Sequence, residues 1–348
     1  MRLSARRAKQ FSTTVLQDDM TDPILLLSPE LRVALSAWGA SIFFIEQRGA
    51  GGTWTRITLG DEKIDDFRRN RFCFGATCGR YANRIRGGRF ELDGQVYQLA
   101  CNNGPNSLHG GDAPFHGREW MPGEIDEGSA SFHLLSPDGD GGYPGELRVT
   151  ASYRLSEEGV LSVDYTAVTD APTIISLTNH VYWNLSGREN STVADHLLTI
   201  PASRFLPIDA DHLVSGEIAA VEGSDFDFRR PSLLEARLAS ADPQIRERRG
   251  FNHPFLIDGT GLRLAARLEH PASGRWMEMR TDQVAVHVYT GGYLEEPWPR
   301  YAGVALEAGG LPDAPNHPEF PGTWVLRPGE VYRQRIEWEF GDLPGVPG

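Results

Sequence analysis

Residues 146–168 read ELRVTASYRLSEEGVLSVDYTAV, and the fold prediction starts from the strand pattern of this segment. Apolar or small residues alternate with polar ones through Glu146–Leu155, and the alternation returns in Val160–Val168. A period of two is the pattern of a strand with one buried face. Glu158-Gly159 lies between the two runs and is a turn signal. The stretch therefore predicts an antiparallel hairpin.

The same pattern recurs on both sides of this hairpin, with further turn signals such as Asp93-Gly94 between the runs. Only Pro231–Arg249 is predicted to be helical, and parallel sheets need a helix at each crossover. We therefore predict an all-β fold, a large single-domain antiparallel β-sandwich with little helix. The other predicted strands are Leu31–Ser36, Ser41–Gln47, Arg89–Leu92, Val96–Leu99, Ser131–Leu135, Thr173–Leu177, Gly261–Leu268, Trp276–Thr281, Val284–Tyr289 and Val331–Glu339.

Length, composition and charge limit the number of domains and the kinds of partner that the chain can have. The 348 residues contain 34 basic and 47 acidic side chains, a net charge of −13, which argues against a nucleic-acid or anionic-membrane partner. No composition break divides the chain, so one domain is expected over residues 21–348. Residues 1–20 are expected to form a disordered N-terminal extension, without the apolar run of a secretory signal.

The sequence lacks the motifs of several common enzyme classes. Neither of the two lysines precedes Ser or Thr, as the phosphate-binding loop of nucleotidases requires, and no serine lies in a GxSxG elbow. The ten histidines lack the short spacings of most metal sites, so no metal is predicted. Three cysteines without CxxC spacing fit buried, reduced thiols in a cytoplasmic protein.

Hydrogen-bonding side chains cluster among glycines and aromatics in residues 75–85 with 102–111, 177–185, 250–255 and 305–318. This mixture suits a sugar, which presents hydroxyls at its rim and a C–H face that stacks on aromatic rings. His109 and His180 lie in such surroundings. Glu307 shares a predicted strand face with Ala305, and a carboxylate there needs partners or a functional role. The remaining histidines considered are interpreted as surface or hydrogen-bonded core residues: His133, His196, His212 and His270.

Four of these segments carry a family resemblance. GRYANRI at 79–85, NSLHGG at 106–111, LTNH at 177–180 and LPDAPN at 311–316 resemble, in order and spacing, the aldose 1-epimerases, also called galactose mutarotases. The resemblance extends over roughly residues 30–340. It implies a galactose mutarotase-like supersandwich with a shallow sugar cleft, no cofactor, a free monosaccharide as partner, and a monomer or homodimer.

The resemblance also implies roles for single residues. Glu307 matches the catalytic base and His180 the catalytic acid, while His109 and Arg84 match residues that hold the sugar near its ring oxygen and anomeric carbon. The other positions that match the family's cleft are Asn83, Asn252, Gln283, and Tyr182 or Trp183. The implied activity is the interconversion of the α and β anomers of a free aldose.

Elementary chemistry agrees with these roles. Anomer exchange needs one proton removed from the C1 hydroxyl and one delivered to the ring oxygen, after which the open aldehyde rotates and recloses. With reference pKa values near 4.3 and 6.5, a free glutamate starts ionised and a free histidine partly protonated at neutral pH. One base and one acid therefore suffice.

Two departures from the family's pattern affect specificity rather than the acid–base pair. Asn252 stands where the family has Asp, and Gly309 stands where it often has a polar residue. An amide donates hydrogen bonds as well as accepting them, so a changed hydroxyl preference is expected.

Three alternatives stay open. A hexose-phosphate epimerase of the same fold would need an arginine cluster at the cleft rim. A non-catalytic sugar-binding module would have no use for the pair of Glu307 and His180. A glycosidase would need a second carboxylate opposite Glu307.

Overall fold

The structure is a computed structural model that describes residues 23–49, 51–69, 72–188 and 191–344. The extension predicted for residues 1–20 lies outside the described residues. Among the helices that the structure describes, none has the length and apolar character needed to cross a membrane.

The predicted hairpin lies in the middle of the largest sheet. Leu147–Leu155 pairs antiparallel with Leu161–Thr169, and Tyr153 lies opposite Val163. Alternate residues of the first strand are buried, as its sequence predicts. The nine strands in spatial order are Met121–Asp126, Ser129–Ser136, Leu147–Leu155, Leu161–Thr169, Tyr332–Asp342, Arg275–Thr281, Arg263–His270, Leu197–Thr199 and Ser232–Leu233.

Within the described residues there are two further sheets and four ribbons, and all of their paired strands are antiparallel. The six-stranded sheet contains, in order, Tyr182–Trp183, Val304–Gly309, Ala285–Tyr289, Asn252–Leu256, Arg204–Phe205 and Ala219–Ala220. The four-stranded sheet contains Ile24–Leu27, Leu31–Ser36, Ser41–Arg48 and Trp54–Arg56. The ribbons pair Thr77–Cys78 with Thr178–Asn179, Arg84–Ile85 with Ser107–Leu108, Arg89–Leu92 with Gln95–Gln98, and Thr173–Ile174 with Val325–Leu326.

The main core joins the inner faces of these sheets. Val163 and Trp338 of the nine-stranded sheet belong to the same buried cluster as Val286 and Leu306 of the six-stranded sheet. Ile42 brings the four-stranded sheet into that cluster. Because each strand contributes alternate residues to this core, the opposite face of the six-stranded sheet is left to carry polar side chains. The predicted antiparallel β-sandwich is confirmed.

The described residues contain little helix, as predicted, but the helices have different bounds from the predicted one. The single helix expected over Pro231–Arg249 is wrong, because this segment forms two short helices, Leu234–Leu238 and Pro243–Arg246. The carboxylate of Asp242 accepts a hydrogen bond from the backbone N–H of Gln244 and begins the second helix. A third helix covers Ile64–Phe67, and the 3₁₀ turns are Arg86–Gly88, Phe115–Gly117, Asp140–Gly142 and Ala314–Asn316.

Candidate active site

A cleft of about 360 Å³ lies on the six-stranded sheet. Four neighbouring strands of that sheet contribute Tyr182, Glu307, Tyr289 and Asn252. A second depression, of about 450 Å³ beside Tyr143, contains none of the predicted site residues. The cleft is lined by Phe72, Cys73, Asn83, Arg84, Asn103, Leu108, His109, His180, Tyr182, His212, Asn252, Tyr289, Tyr293 and Glu307.

Glu307 lies within Val304–Gly309, with its carboxylate toward the cleft. Its strand neighbours Leu306 and Ala308 belong to the main core, so strand alternation directs Glu307 to the opposite face, as predicted. The residue is only 5% exposed. Burial raises the pKa of Glu307 above its ordinary value, and the nearby His180 opposes part of that rise.

His180 faces Glu307 across a short gap, with its Nε2 3.4 Å from Oε1 of the carboxylate. Two backbone hydrogen bonds fix its position: its N–H donates to the carbonyl of Ala76, and its carbonyl accepts from the N–H of Gly75. The imidazole lies beside Tyr182, with ring centroids 4.9 Å apart. The structure therefore brings the two residues predicted as acid and base together.

His109 also lies beside His180, with ring centroids 5.4 Å apart. The backbone N–H of Asn83 donates to Nδ1 of His109 at 3.2 Å. Burial lowers the pKa of His109 well below its ordinary value, so the ring is neutral near pH 7. Because Nδ1 accepts, the ring hydrogen is on Nε2, and His109 can donate one hydrogen bond from that atom.

Arg84 is positioned by a segment far along the chain. Its Nε donates to the side-chain oxygen of Asn103 at 3.0 Å, and its carbonyl accepts from the N–H of Asp313. The Asp313 carboxylate in turn accepts from the N–H of Arg86, and the hydroxyl of Tyr81 donates to the carbonyl of Leu311. The LPDAPN segment therefore supports the GRYANRI segment.

One glycine shows how closely the loops pack behind the cleft. Gly110 follows His109 and has a φ of 97°. A Cβ atom there would lie 2.1 Å from the carbonyl oxygen of Gly79, a distance that only glycine permits. The close approach holds the loop of His109 against the segment that carries Arg84.

Asn252 lies between two histidines. Its side-chain oxygen accepts from Nε2 of His287 at 2.7 Å, and its Nδ2 lies 3.1 Å from Nδ1 of His212. The other nitrogen of His212 is 3.1 Å from the hydroxyl of Tyr293. Burial lowers the pKa of both histidines, that of His212 to about 4. The amide is thus a fixed part of the cleft wall.

Two residues of this group escaped the sequence analysis. His212, interpreted as a surface or hydrogen-bonded core residue, is half-buried and hydrogen-bonded, and it also lines the cleft. His287 lies directly opposite Glu307 in the strand register, and its buried Nδ1 has no hydrogen-bond partner among the described residues. Once Glu307 is placed on the polar face, the alternation of Ala285–Tyr289 is the signal that puts His287 on the same face.

The structure does not bring Trp183 or Gln283 to the cleft. Trp183 is buried in the main core, where its ring lies 6.0 Å from that of Trp338, so Tyr182 alone of this pair faces the cleft. Successive side chains of a strand point to opposite faces, which explains the difference. Gln283 lies beyond the end of Arg275–Thr281, and its amide donates to Asp282.

The cysteines are only partly as predicted. Cys73 and Cys78 are buried, but Cys101 is exposed. Cys73 also lines the cleft. A hydrogen bond from the Cys78 thiol lowers the pKa of the Cys73 thiol well below its ordinary value, with a smaller effect from His116, while burial raises the pKa of Cys78.

Comparisons with known proteins identify the family of this chain. The family model for aldose 1-epimerase matches residues 23–339. A galactose mutarotase of Bos taurus is 40% identical over 324 residues, which cover 90% of this chain and 92% of the relative. An aldose 1-epimerase of Escherichia coli K12 is 35% identical over 88% of this chain and 91% of the relative.

A solved structure supports the same relationship. The crystal structure of an aldose epimerase homologue from C. elegans superposes with a TM-score of 0.85 at 28% identity, over 92% of this chain and 99% of that one. The match thus extends through the sheets that build the cleft as well as through the sequence. The chain belongs to the aldose 1-epimerase family.

Proposed function

We propose that this protein is an isomerase that interconverts the α and β anomers of a free aldose. The observation that carries the proposal is the pair of Glu307 and His180, 3.4 Å apart at the base of a cleft lined by hydrogen-bonding groups. A carboxylate and an imidazole in contact are the base and acid that anomer exchange needs. The relatives named galactose mutarotase and aldose 1-epimerase perform reactions of this class.

In the proposed reaction, Glu307 accepts the proton of the C1 hydroxyl while His180 delivers a proton to the ring oxygen. The C1–O5 bond breaks as the C1 carbonyl forms, so the intermediate is the open-chain aldehyde. Rotation about C1–C2 presents the other carbonyl face to the O5 hydroxyl. Ring closure then returns a proton from O5 to His180 and one from Glu307 to O1, which restores both groups.

His109 and Arg84 are proposed to hold the sugar near the ring oxygen. The Nε2–H of His109 is a neutral donor, whereas Arg84 brings a buried positive charge. Placed in advance, such donors stabilise negative charge that develops on oxygen. Tyr182 and Tyr289 offer aromatic surface to the C–H face of the ring.

The pH profile follows from the pKa of Glu307. Only the ionised carboxylate can accept a proton, and burial raises its pKa above the ordinary glutamate value of 4.5. We therefore expect kcat/KM to fall with decreasing pH through an acid limb centred above that value. The measurement is anomeric exchange by NMR from pH 4 to 8, with the uncatalysed rate subtracted. An acid limb at or below the ordinary value would contradict burial as the dominant influence.

Sugar preference is proposed to depend on Asn252. With one oxygen lone pair and one N–H already used by His287 and His212, the amide offers a sugar one acceptor and one donor, whereas a carboxylate only accepts. A mismatched polar group in a buried site costs about 1–3 kcal/mol. We expect Asn252→Asp to move the ranking of sugars toward galactose and glucose, by about one to two powers of ten.

The test of this expectation is kcat/KM for glucose, galactose, arabinose, xylose and fucose with both forms. The aspartate variant should also raise the pKa of His212, now about 4, because a carboxylate beside an imidazole favours its protonated form. Histidine NMR reports that change independently of activity. An unchanged order of sugars together with a raised pKa would mean that residue 252 contacts His212 but no sugar hydroxyl.

Two alternatives from the sequence analysis, a hexose-phosphate epimerase and a non-catalytic sugar-binding module, have less support. Among the described residues that line the cleft, Arg84 is the only arginine, and its Nε is bound to Asn103, which gives little support for a phosphorylated sugar. A sugar-binding module would not need the pair of Glu307 and His180. Polarimetry on the sugar panel and on glucose 6-phosphate distinguishes the three functions. An aldose 1-epimerase accelerates anomer exchange of the free sugars, a hexose-phosphate epimerase acts on glucose 6-phosphate, and a binding module accelerates neither reaction. The cytoplasmic location and the monomer or homodimer stay predictions.

A further inference from the structure

Two thiols and an imidazole converge beside the cleft. Cys73 lines the cleft, Cys78 lies in the short strand Thr77–Cys78, and His116 lies in the turn Phe115–Gly117. The two Sγ atoms and one ring nitrogen of His116 all lie within 4.8 Å of one another. Both thiols are free and buried. Three groups with metal-ligand atoms are therefore gathered at a place that the proposed reaction does not use.

The imidazole of His116 hydrogen-bonds the Cys73 thiol, but one of its two nitrogens is left without a partner. Within the part of the chain that the structure describes, the buried Nδ1 has no hydrogen-bond partner. A buried polar atom without a partner is costly, so such an atom points to a ligand or ion that would satisfy it.

A second cluster of the chain provides a contrast. Asp195, His196 and His270 also approach one another, but the backbone N–H groups of Leu185 and Ser273 donate to Nε2 of His196 and Nδ1 of His270. The remaining ring nitrogens therefore carry hydrogens and donate to the Asp195 carboxylate. All four ring nitrogens of that cluster are therefore already satisfied, and neither imidazole has a free lone pair for a metal.

We propose that Cys73, Cys78 and His116 form a site for a thiophilic divalent cation such as Zn²⁺ or Cd²⁺. Thiolate and imidazole are the ligands that such ions prefer, and three protein ligands leave one position open. With metal–sulfur bonds of about 2.3 Å, ligand atoms around a tetrahedral ion lie roughly 3.8 Å apart, so the observed spacing requires small side-chain movements only. Because Cys73 lines the cleft, the ion has an entry path.

The position of the site makes the cation an inhibitor rather than a cofactor. Cys73 shares the cleft with His180 and Glu307 and interacts electrostatically with both. A divalent cation there would make the Glu307 carboxylate less basic and disfavour the protonated form of His180, whereas the proposed first step needs a carboxylate that accepts a proton and an imidazole that delivers one. This consequence rests on the proposed function, whereas binding at the thiols does not.

The binding experiment is a Cd²⁺ titration of the reduced, metal-free protein, followed by the ultraviolet charge-transfer absorption of cadmium thiolates. We expect a saturable band at one ion per chain. Cys78→Ser should weaken binding at least tenfold and reduce the band, while Cys101→Ser, which removes the exposed thiol outside the cluster, should leave both unchanged. An undiminished band with unchanged affinity in Cys78→Ser, or loss of the band in Cys101→Ser, would overturn the proposal.

A second variant covers the chance that Cys78→Ser does not fold, since Cys78 is fully buried. His116→Asn removes the nitrogen ligand at a half-buried position and should weaken Cd²⁺ binding at least tenfold without loss of the thiolate band at saturation. Circular dichroism verifies the fold of each variant. Unchanged affinity in a folded His116→Asn protein would refute the three-ligand site.

The inhibition experiment measures anomeric exchange with increasing Zn²⁺, with each variant compared with its own metal-free rate. We expect inhibition of the unmodified protein and of Cys101→Ser, reversed by a chelator, and at least tenfold weaker inhibition of Cys78→Ser. The cluster of His109, His180 and Glu307 also has metal-ligand spacing, but a cation held there gives no thiolate band. Inhibition by Zn²⁺ in a protein that shows no cadmium–thiolate band in the Cd²⁺ titration would therefore overturn the thiol site. Lack of exchange in the metal-free protein would refute the proposed function and leave the binding result intact.

Discussion

Glu307→Gln is expected to lower kcat for anomeric exchange by about 10²–10⁴-fold, the range found for loss of a positioned general base. Glutamine keeps the shape of the side chain and can still accept a hydrogen bond through its oxygen. It cannot take up the C1 proton at neutral pH. The loss should therefore appear in kcat, because the missing interaction develops in the transition state, and the sugar should still bind.

The fold of this variant is expected to survive. Glu307 is 5% exposed, and burial of a neutral amide costs less than burial of a carboxylate, so Tm should not fall. Glu339→Gln is the matched control, since Glu339 is exposed on the nine-stranded sheet, away from the cleft. Exchange is measured by NMR with the uncatalysed rate subtracted, and binding by calorimetry. If Glu307→Gln kept more than about a tenth of the original kcat, Glu307 would not be the base.

The sandwich was predictable because it rests on local patterns. Leu147–Leu155 and Leu161–Thr169 alternate clearly, since one face of each packs in the core and the other faces solvent. Asn252–Leu256 was not predicted, because all five of its residues are buried and Pro254 interrupts the usual strand composition. A strand covered on both faces has no alternation to detect. The six-stranded sheet was incomplete in the sequence analysis for a second reason, because three of its other strands are only two residues long: Tyr182–Trp183, Arg204–Phe205 and Ala219–Ala220.

The sequence identified a site residue only where a family motif or the alternation of a strand indicated its position. The resemblance supplied Glu307, His180, His109 and Arg84, which the structure collects in one cleft. The placement of His212 depends on a loop whose path no local pattern describes. Likewise, the cluster of Cys73, Cys78 and His116 joins the segment of the two cysteines to a turn more than 35 residues further along the chain, so spacing alone gave no metal signal. Contacts between distant segments are a property of the tertiary fold and have no period in the sequence.

His180→Asn is the second variant with a large expected effect, a fall in kcat of about 10²-fold or more with a smaller change in KM. Asparagine keeps a polar group near the backbone but has no ionisable nitrogen to protonate the ring oxygen. The 3.4 Å contact between Nε2 and the Glu307 carboxylate is lost as well. His133→Asn is the control, since His133 lies on the nine-stranded sheet and its ring bonds to Thr150.

The comparison with His109→Asn separates two roles for the neighbouring histidines. His109 is neutral near pH 7 because burial lowers its pKa, so it can donate a hydrogen bond but carries no readily released proton. Its replacement should therefore raise KM more than it lowers kcat. If His180→Asn instead raised KM alone, His180 would be a binding residue. The acid would then have to be His109, although burial makes it a poor proton donor. The pH profile gives a second readout, because His180 lowers the pKa of Glu307 and its removal should raise that pKa. The acid limb of the profile should therefore move to higher pH in His180→Asn and stay in place in His109→Asn.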